Sequence, residues 1–203
     1  MLLRSIEAFR EFDPECAVVV VLHPDFNNAD VQDALGSAAD TEIFFATGGD
    51  SRIASVRNGL AVANEIAGDA GAKVFIHDAA RPLATPELIR RGAETATPNI
   101  GAVPGIEVTD SIRYRLNERR TESVDRSKFV IVQTPQVFML EDITKAYASV
   151  ADDAPLTDDA SVAEKAGIEI AVYPGESTNI KVTRPQDFAI AEELLKGLSA
   201  KNK

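Results

Sequence analysis

The chain has 203 residues, of which 45% are hydrophobic and 26% charged, and this suits one globular domain with a sizeable core. Its formal net charge of -11 argues against general binding to nucleic acid or to anionic membranes, because long-range repulsion opposes both. A single cysteine, Cys16, and two histidines exclude an intramolecular disulfide and a zinc-type cluster, and they favour the reducing cytoplasm.

Strand and helix patterns alternate along the chain. Residues 1–12 mix charged and apolar positions at helical spacing, so they lack a signal-peptide core, and no later run is long enough to span a membrane. The apolar run 17–22 has no alternation, which is typical of a strand buried on both faces of a parallel sheet. Further strands are predicted at 42–46, 73–77, 100–104, 129–134 and 169–173. Helices are predicted at 29–35, 53–66, 86–97, 140–150, 159–166 and 185–195.

The stretch 110–124 departs from this rhythm. It holds two short extended segments around the polar turn 117–120 and no helix, which predicts a projecting β-hairpin. No linker, repeat or low-complexity tract divides the chain. The sequence therefore predicts one α/β domain over 1–203, with a mainly parallel open sheet and a hairpin arm at 108–127.

Two glycines, Gly48 and Gly49, lie between a predicted strand and the helix that follows it. In an open parallel sheet this junction is the edge at which ligands bind. Glycines let backbone N–H groups approach a ligand closely, whereas Asp50 or Ser51 can cap the helix and Ser55 lies in its first turns. An ordinary capped turn has the same pattern, so both interpretations stay open.

The segment HDAARP (77–82) ends the next predicted strand. Asp78 and Arg81 can face one crevice, where Asp78 can hold a ribose hydroxyl or a divalent metal and Arg81 a phosphate. Ala79 leaves room for a ligand. The alternative is a surface ion pair between Asp78 and Arg81, and for His77 a packed, hydrogen-bonded role is favoured over a catalytic one.

Lys181 lies between two apolar residues shortly before a predicted helix. In an extended segment Ile180 and Val182 point one way and Lys181 the other, so the lysine can neutralise a transferring phosphate. A solvated lysine is the alternative. Farther back, the TDDAS segment (157–161) predicts a helix N-cap in preference to a metal site.

Six segments carry a family resemblance when they are taken in order and with their spacings. GGDSRIASV, HDAARP, VDR, TPQ, TDDAS and NIKVTRP resemble the 2-C-methyl-D-erythritol 4-phosphate cytidylyltransferases of the non-mevalonate isoprenoid pathway, over nearly the whole chain. The resemblance implies a Rossmann-like nucleotidyltransferase fold, a homodimer, and the use of CTP and Mg²⁺. It also implies in-line attack of a sugar-alcohol phosphate on the α-phosphorus of CTP, with release of pyrophosphate.

The resemblance also implies roles for individual residues. Nucleotide binding would involve Gly49, Asp50, Ser55, Asp78 and Ala79, with Asp78 also near the metal. The catalytic pair that positions the acceptor phosphate would be Lys181 and Arg126. Further substrate contacts would be Arg81, Ser111 and Thr134. In the family the hairpin arm reaches across the dimer, so Ser111 and Arg126 would serve the partner's site; Ser111 stands where the family often has Thr.

One family feature has no counterpart in this sequence. Members begin with a strand and a loop of the pattern A-A-G-x-G-x-R-M, followed by P-K-Q, whereas residues 1–5 align with the helix after that loop. The expectation is that the natural protein is longer and that strands beside the missing one are left unpaired. Alternative functions are a ribitol-5-phosphate cytidylyltransferase and a catalytically impaired dimerising fragment.

Overall fold

A computed structural model describes residues 1–26, 28–35, 43–68 and 71–201, without the side chains of 199–201. The helices are α1 (Leu2–Phe12), α2 (Asn28–Leu35), α3 (Arg52–Ala67), α4 (Pro86–Thr95), α5 (Leu140–Ala148), α6 (Asp159–Lys165) and α7 (Pro185–Lys201). The strands are β1 (Val18–Leu22), β2 (Ile43–Thr47), β3 (Lys73–Ile76), β4 (Ile100–Glu107), β5 (Arg113–Arg115), β6 (Thr121–Ser123), β7 (Val130–Val132), β8 (Gln136–Met139) and β9 (Glu169–Pro174). These bounds lie close to most of the predicted ones; residue 42, the predicted start of β2, is outside the described residues.

Strands β1 and β2 form a parallel pair that packs on α1 and α2. Val20 is buried and joins Ile6 and Leu35 in a small core, whereas Val21 is 38% exposed. The prediction that this strand is buried on both faces is therefore wrong. Among the described residues β1 pairs only with β2, so its other edge has no strand partner there.

The larger sheet has the order β3-β8-β4-β7, with β9 beside β4. Strand β4 runs parallel to β9 but antiparallel to β7 and β8, and β3 is antiparallel to β8. The α/β class is confirmed, but the sheet is mixed and not mainly parallel. Both β7 and β8 run antiparallel to β4, and the chain passes from β4 to β7 through the hairpin arm, without the α-helical crossover that parallel pairing usually needs.

Strand β8 was not predicted from the sequence. The predicted strand 129–134 ends earlier, at Val132, and a second strand begins at Gln136 after Pro135. Gln136 is only 1% exposed. Its polar side chain can be buried because the carboxamide donates a hydrogen bond to Asp158 and accepts one from the Ala160 N–H. The polar residues and the proline interrupt the apolar pattern from which a buried strand would be predicted.

Local capping explains where three helices begin. Ser51 accepts a hydrogen bond from the Ala54 N–H at the start of α3, and Thr85 accepts one from the Leu88 N–H at the start of α4. Asp158 and Ser161 form a reciprocal capping box at α6, which confirms the N-cap interpretation of TDDAS. These caps fix the first turns of the helices that border the candidate site.

The predicted hairpin is confirmed by the antiparallel pairing of β5 with β6, all of whose residues are exposed. Large apolar side chains on and beside it are also exposed, from 43% to 63%: Tyr114, Leu116, Phe129, Val130 and Ile131.

Within the described residues, no helix combines the length and apolar character needed to cross a membrane.

Candidate active site

The Gly48–Gly49 turn packs tightly against the end of β1 and the start of α3. The Gly48 N–H donates to the Leu22 carbonyl at 2.6 Å, and the Gly49 N–H donates to Ser55 Oγ at 3.1 Å. A Cβ on Gly49 would lie 2.5 Å from that of Ala54, so only glycine fits. Both N–H groups are already hydrogen-bonded to protein oxygens, and Asp50 is exposed, so this geometry supports the capped-turn interpretation.

Asp78, at the end of β3, lies at the centre of a charged cluster. Its Oδ2 is 2.7 Å from Lys181 Nζ and 3.9 Å from Arg81 Nε. Its backbone N–H donates to Thr134 Oγ1 at 3.0 Å. The structure therefore brings together four of the predicted site residues, and the shortest ion pair of Asp78 is with Lys181, not with Arg81.

The electrostatics of this cluster favour an ionised Asp78. Burial opposes ionisation, but the hydrogen bond and charge of Lys181, and then the charges of Arg52 and Arg81, lower the pKa of Asp78 below its usual value. Burial lowers the pKa of Arg81, against the attraction of Asp78. Arg81 is anchored at its other end, because Nη1 donates to the Asn179 carbonyl at 2.8 Å.

His77 has the packed role that the sequence favoured. Its Nε2 lies 3.1 Å from the Arg81 carbonyl and its Nδ1 lies 3.1 Å from Thr134 Oγ1. Its ring also meets that of Phe9 edge-on at 5.5 Å. Burial lowers the pKa of His77 to about 4, so the imidazole is neutral at physiological pH and supports the Asp78 turn.

A second charge pair, whose carboxylate is fully buried, was missed in the sequence. Arg52, the first residue of α3, donates to both carboxylate oxygens of Asp159, at 3.0 and 2.7 Å, and the Tyr147 hydroxyl donates to Asp159 at 2.5 Å. Asp159 has no exposed surface, whereas 38% of the Arg52 side chain is exposed. The doubled aspartate of TDDAS was the available signal: Asp158 caps α6, which leaves Asp159 free to hold Arg52.

Ser111 and Arg126 are not part of this cluster in a single chain. Both are exposed, and Arg126 donates to the Thr109 carbonyl at the base of the arm. Within the described part of the chain, neither makes a hydrogen bond or ion pair with Asp78, Arg81 or Lys181.

The cluster has the groups needed to bind phosphate but few ligands for a metal. Arg81 and Lys181 present two cations around one carboxylate, and the exposed part of Arg52 adds a third nearby. The described residues contain no group of three or more His, Cys, Asp or Glu side chains that could hold a metal ion. Asp78 alone can supply one carboxylate ligand, which suits Mg²⁺ bound mainly through substrate phosphates and water.

Comparison with known proteins gives consistent matches. A family model described as "IspD: 2-C-methyl-D-erythritol 4-phosphate cytidylyltransferase" matches residues 1–197. A 2-C-methyl-D-erythritol 4-phosphate cytidylyltransferase of Bacteroides thetaiotaomicron is 35% identical over 196 residues, which cover 96% of this chain and 86% of the relative. The protein of that name from Cereibacter sphaeroides ATCC 17023 is 38% identical over 195 residues, with 96% and 84% covered.

Longer relatives and solved structures agree. A bifunctional enzyme IspD/IspF of Ruegeria is 38% identical over 192 residues, and the chain spans about half of its length, 48%. A crystal structure of a 4-diphosphocytidyl-2C-methyl-D-erythritol synthase superposes with a TM-score of 0.81 at 30% identity, covering 96% of this chain and 89% of the other. The 2-C-methyl-D-erythritol 4-phosphate cytidylyltransferase of Thermus thermophilus gives a TM-score of 0.75 at 29% identity, covering 97% and 89%.

Proposed function

The chain belongs to the 2-C-methyl-D-erythritol 4-phosphate cytidylyltransferase family, and we propose that Asp78, Arg81 and Lys181 form the centre of its active site. The reaction transfers the cytidylyl group of CTP to the phosphate of 2-C-methyl-D-erythritol 4-phosphate. A P–O bond forms at the α-phosphorus, the bond to the β-phosphate breaks, and pyrophosphate leaves. The products are 4-diphosphocytidyl-2-C-methyl-D-erythritol and pyrophosphate.

The observation that carries the proposal is the 2.7 Å ion pair between Lys181 and Asp78. It joins the loop after β3 to the segment before α7, two parts of the chain that are distant in sequence. Two anions, a triphosphate and a phosphate monoester, must approach each other in this reaction, and fixed cations reduce their repulsion and stabilise the charge that develops in the transition state. Lys181 is 46% exposed and so can reach a phosphate, whereas Arg81 is 12% exposed and already fixed.

Asp78 is the proposed carboxylate for Mg²⁺ and for the ribose of CTP. When bound with CTP, Mg²⁺ would neutralise phosphate charge. A nearby carboxylate whose pKa is lowered stays ionised at neutral pH and can serve as its ligand. Gly49, Asp50, Ser55 and Ala79 are proposed to complete the nucleotide side, with Thr134 on the substrate side.

The acceptor side of the site is proposed to need a second copy of the chain. Exposed apolar residues on and around the arm support this, because such a patch is typical of an interaction surface. The arm would place Ser111 and Arg126 of one subunit in the site of its partner. A cytoplasmic homodimer is thus the proposed form of the protein.

A pyrophosphate-release assay tests the reaction and the acceptor. Full-length protein with CTP and Mg²⁺ should release pyrophosphate with 2-C-methyl-D-erythritol 4-phosphate and far less with ribitol 5-phosphate. Removal of Mg²⁺ by a chelator should abolish turnover, and its restoration should recover it. A preference for ribitol 5-phosphate would overturn the acceptor assignment, and absence of CTP binding in calorimetry would favour a non-catalytic dimerising protein.

Mixed dimers test the arm. Lys181→Ala and Arg126→Ala variants, each inactive alone, are unfolded, mixed in equal amounts and refolded. If Arg126 acts in the partner's site, each heterodimer holds one intact site and one doubly deficient site, so activity returns to about a quarter of the parent level. If the residues act within one subunit, mixing restores nothing, and the crossed-arm proposal fails.

A further inference from the structure

We propose that Asn179 is a positioning residue for cytidylyl transfer, because its buried side chain fixes the backbone that presents Lys181 and Arg81 to Asp78. The inference rests on the proposed active site. Asn179 has no exposed surface and lies two residues before Lys181. It has no charge and no exposed surface with which to touch a substrate, so its effect would pass through Lys181 and Arg81.

Asn179 joins three segments of the site. Its Nδ2 donates to the Thr134 carbonyl at 2.9 Å, at the end of the segment that follows β7. The backbone carbonyl of Asn179 accepts hydrogen bonds from Arg81 Nη1 at 2.8 Å and from Gln133 Nε2 at 3.2 Å. One residue therefore fixes the distance between the Thr134 segment, the arginine and the segment that carries the lysine.

The backbone on the other side of Lys181 is fixed too. The Val182 N–H donates to the Ala80 carbonyl at 2.8 Å, which attaches the segment to the Asp78 turn. Lys181 is thus held between an anchor at Asn179 and an anchor at Val182. With both in place only the side chain of Lys181 must be ordered, and the entropy cost of placing its ammonium group is reduced.

Only the donor end of the Asn179 carboxamide has a partner in the described structure. Its Oδ1 is buried and accepts no hydrogen bond there. Burying a carbonyl oxygen without a partner is unfavourable, so the need for the Nδ2 donor explains an amide at this position. This asymmetry specifies the variants: Asn179→Ala removes the donor, and Asn179→Asp keeps the size but replaces the donor with an oxygen.

A double-mutant cycle distinguishes positioning from simple stabilisation. Steady-state kcat and KM for CTP and the acceptor are measured for the parent, Asn179→Ala, Lys181→Ala and the double variant. Since small displacements of catalytic groups are costly, Asn179→Ala should lower kcat about 20- to 100-fold while KM for CTP changes little. In the Lys181→Ala background the same substitution should lower kcat several-fold less than it does in the parent, because one of the two groups that it positions is already gone and only the effect through Arg81 remains.

Controls separate the possible failures. Ile143→Val removes buried apolar volume in α5, a helix that contributes no residue to the Asp78 cluster, and should leave kcat of the folded protein unchanged although it lowers thermal stability. If Asn179→Ala does not fold, Asn179→Asp enters the same cycle. Equal effects of the Asn179 substitution with and without Lys181, or a kcat equal to that of the parent, would overturn the positioning role. Parent-like turnover in Lys181→Ala would instead overturn the proposed active site.

Discussion

The buried Asp159 carboxylate gives the sharpest stability prediction. Substitution Asp159→Asn keeps the shape of the side chain but removes the charge that accepts two hydrogen bonds from Arg52 and one from Tyr147. The new amide also places a donor where the neighbours are donors. Breaking one side of a fully buried ion pair costs about 3–5 kcal/mol. Because 38% of Arg52 is exposed and can be hydrated, we expect the lower end, about 3 kcal/mol.

The free energies of unfolding of the parent and the variant are measured by urea titration, and their melting temperatures by thermal unfolding, both followed by far-ultraviolet circular dichroism. In a domain of this size the melting temperature should fall by roughly 6–12 °C. Asp152→Asn is the matched control, since Asp152 also pairs with an arginine, Arg57, but is 58% exposed, and it should cost less than about 1 kcal/mol. If Asp159→Asn costs no more than this control, the reasoning on the buried pair is refuted.

Three further predictions concern the site, pH and packing. Lys181→Ala should lower kcat by about 10²-fold or more with KM for CTP nearly unchanged, and a parent-like kcat would remove Lys181 from the mechanism. Because burial holds the pKa of His77 at about 4, unfolding takes up a proton between about pH 6.5 and 4, so stability should decrease by about 3 kcal/mol as pH falls through that window. In pH-dependent urea titrations, His77→Gln should abolish this component; an unchanged slope would contradict the assignment. Gly197 lies in α7 with open space where a Cβ would stand, so Gly197→Ala should stabilise the protein by about 0.5–1 kcal/mol. A Cβ on Gly101 would lie 2.4 Å from the Phe138 ring, so Gly101→Ala should destabilise it by about 1–3 kcal/mol. Melting temperatures that change in the opposite order would contradict this account of the packing.

The sequence predicted the elements better than their pairing. Apolar runs and caps place the helices and most strands, because those signals are local. Whether β4 runs parallel or antiparallel to its neighbours depends on the path of the chain, and β8 is concealed by Gln136, whose polarity is compensated by partners distant in sequence. Hydrogen bonding of this kind can be assessed only once the fold brings the partners together.

The same distinction applies to the site. Asp78, Arg81 and Lys181 could be selected because charged residues at strand ends and before helices form a recognisable pattern. Asn179 and Asp159 lie within the same motifs, but their roles depend on contacts with Thr134 and Arg52 that the sequence does not display. Short motifs thus identify the charged groups of a site before they identify the buried groups that hold them.

The charge of the whole protein and the charge of the site act over different distances. The chain carries a net charge of -11, yet its substrates are anions, so attraction must be local. Asp159 balances Arg52, while Asp78 faces both Arg81 and Lys181, so the central cluster keeps a surplus of one positive charge. Salt at about 0.1 M screens exposed charges beyond about 10 Å, which weakens the repulsion from distant acidic residues more than the contacts within the cluster. Positioning residues such as Asn179 therefore matter electrostatically as well as geometrically, since displacing Lys181 by a few ångströms would weaken its attraction for an anion bound at the cluster.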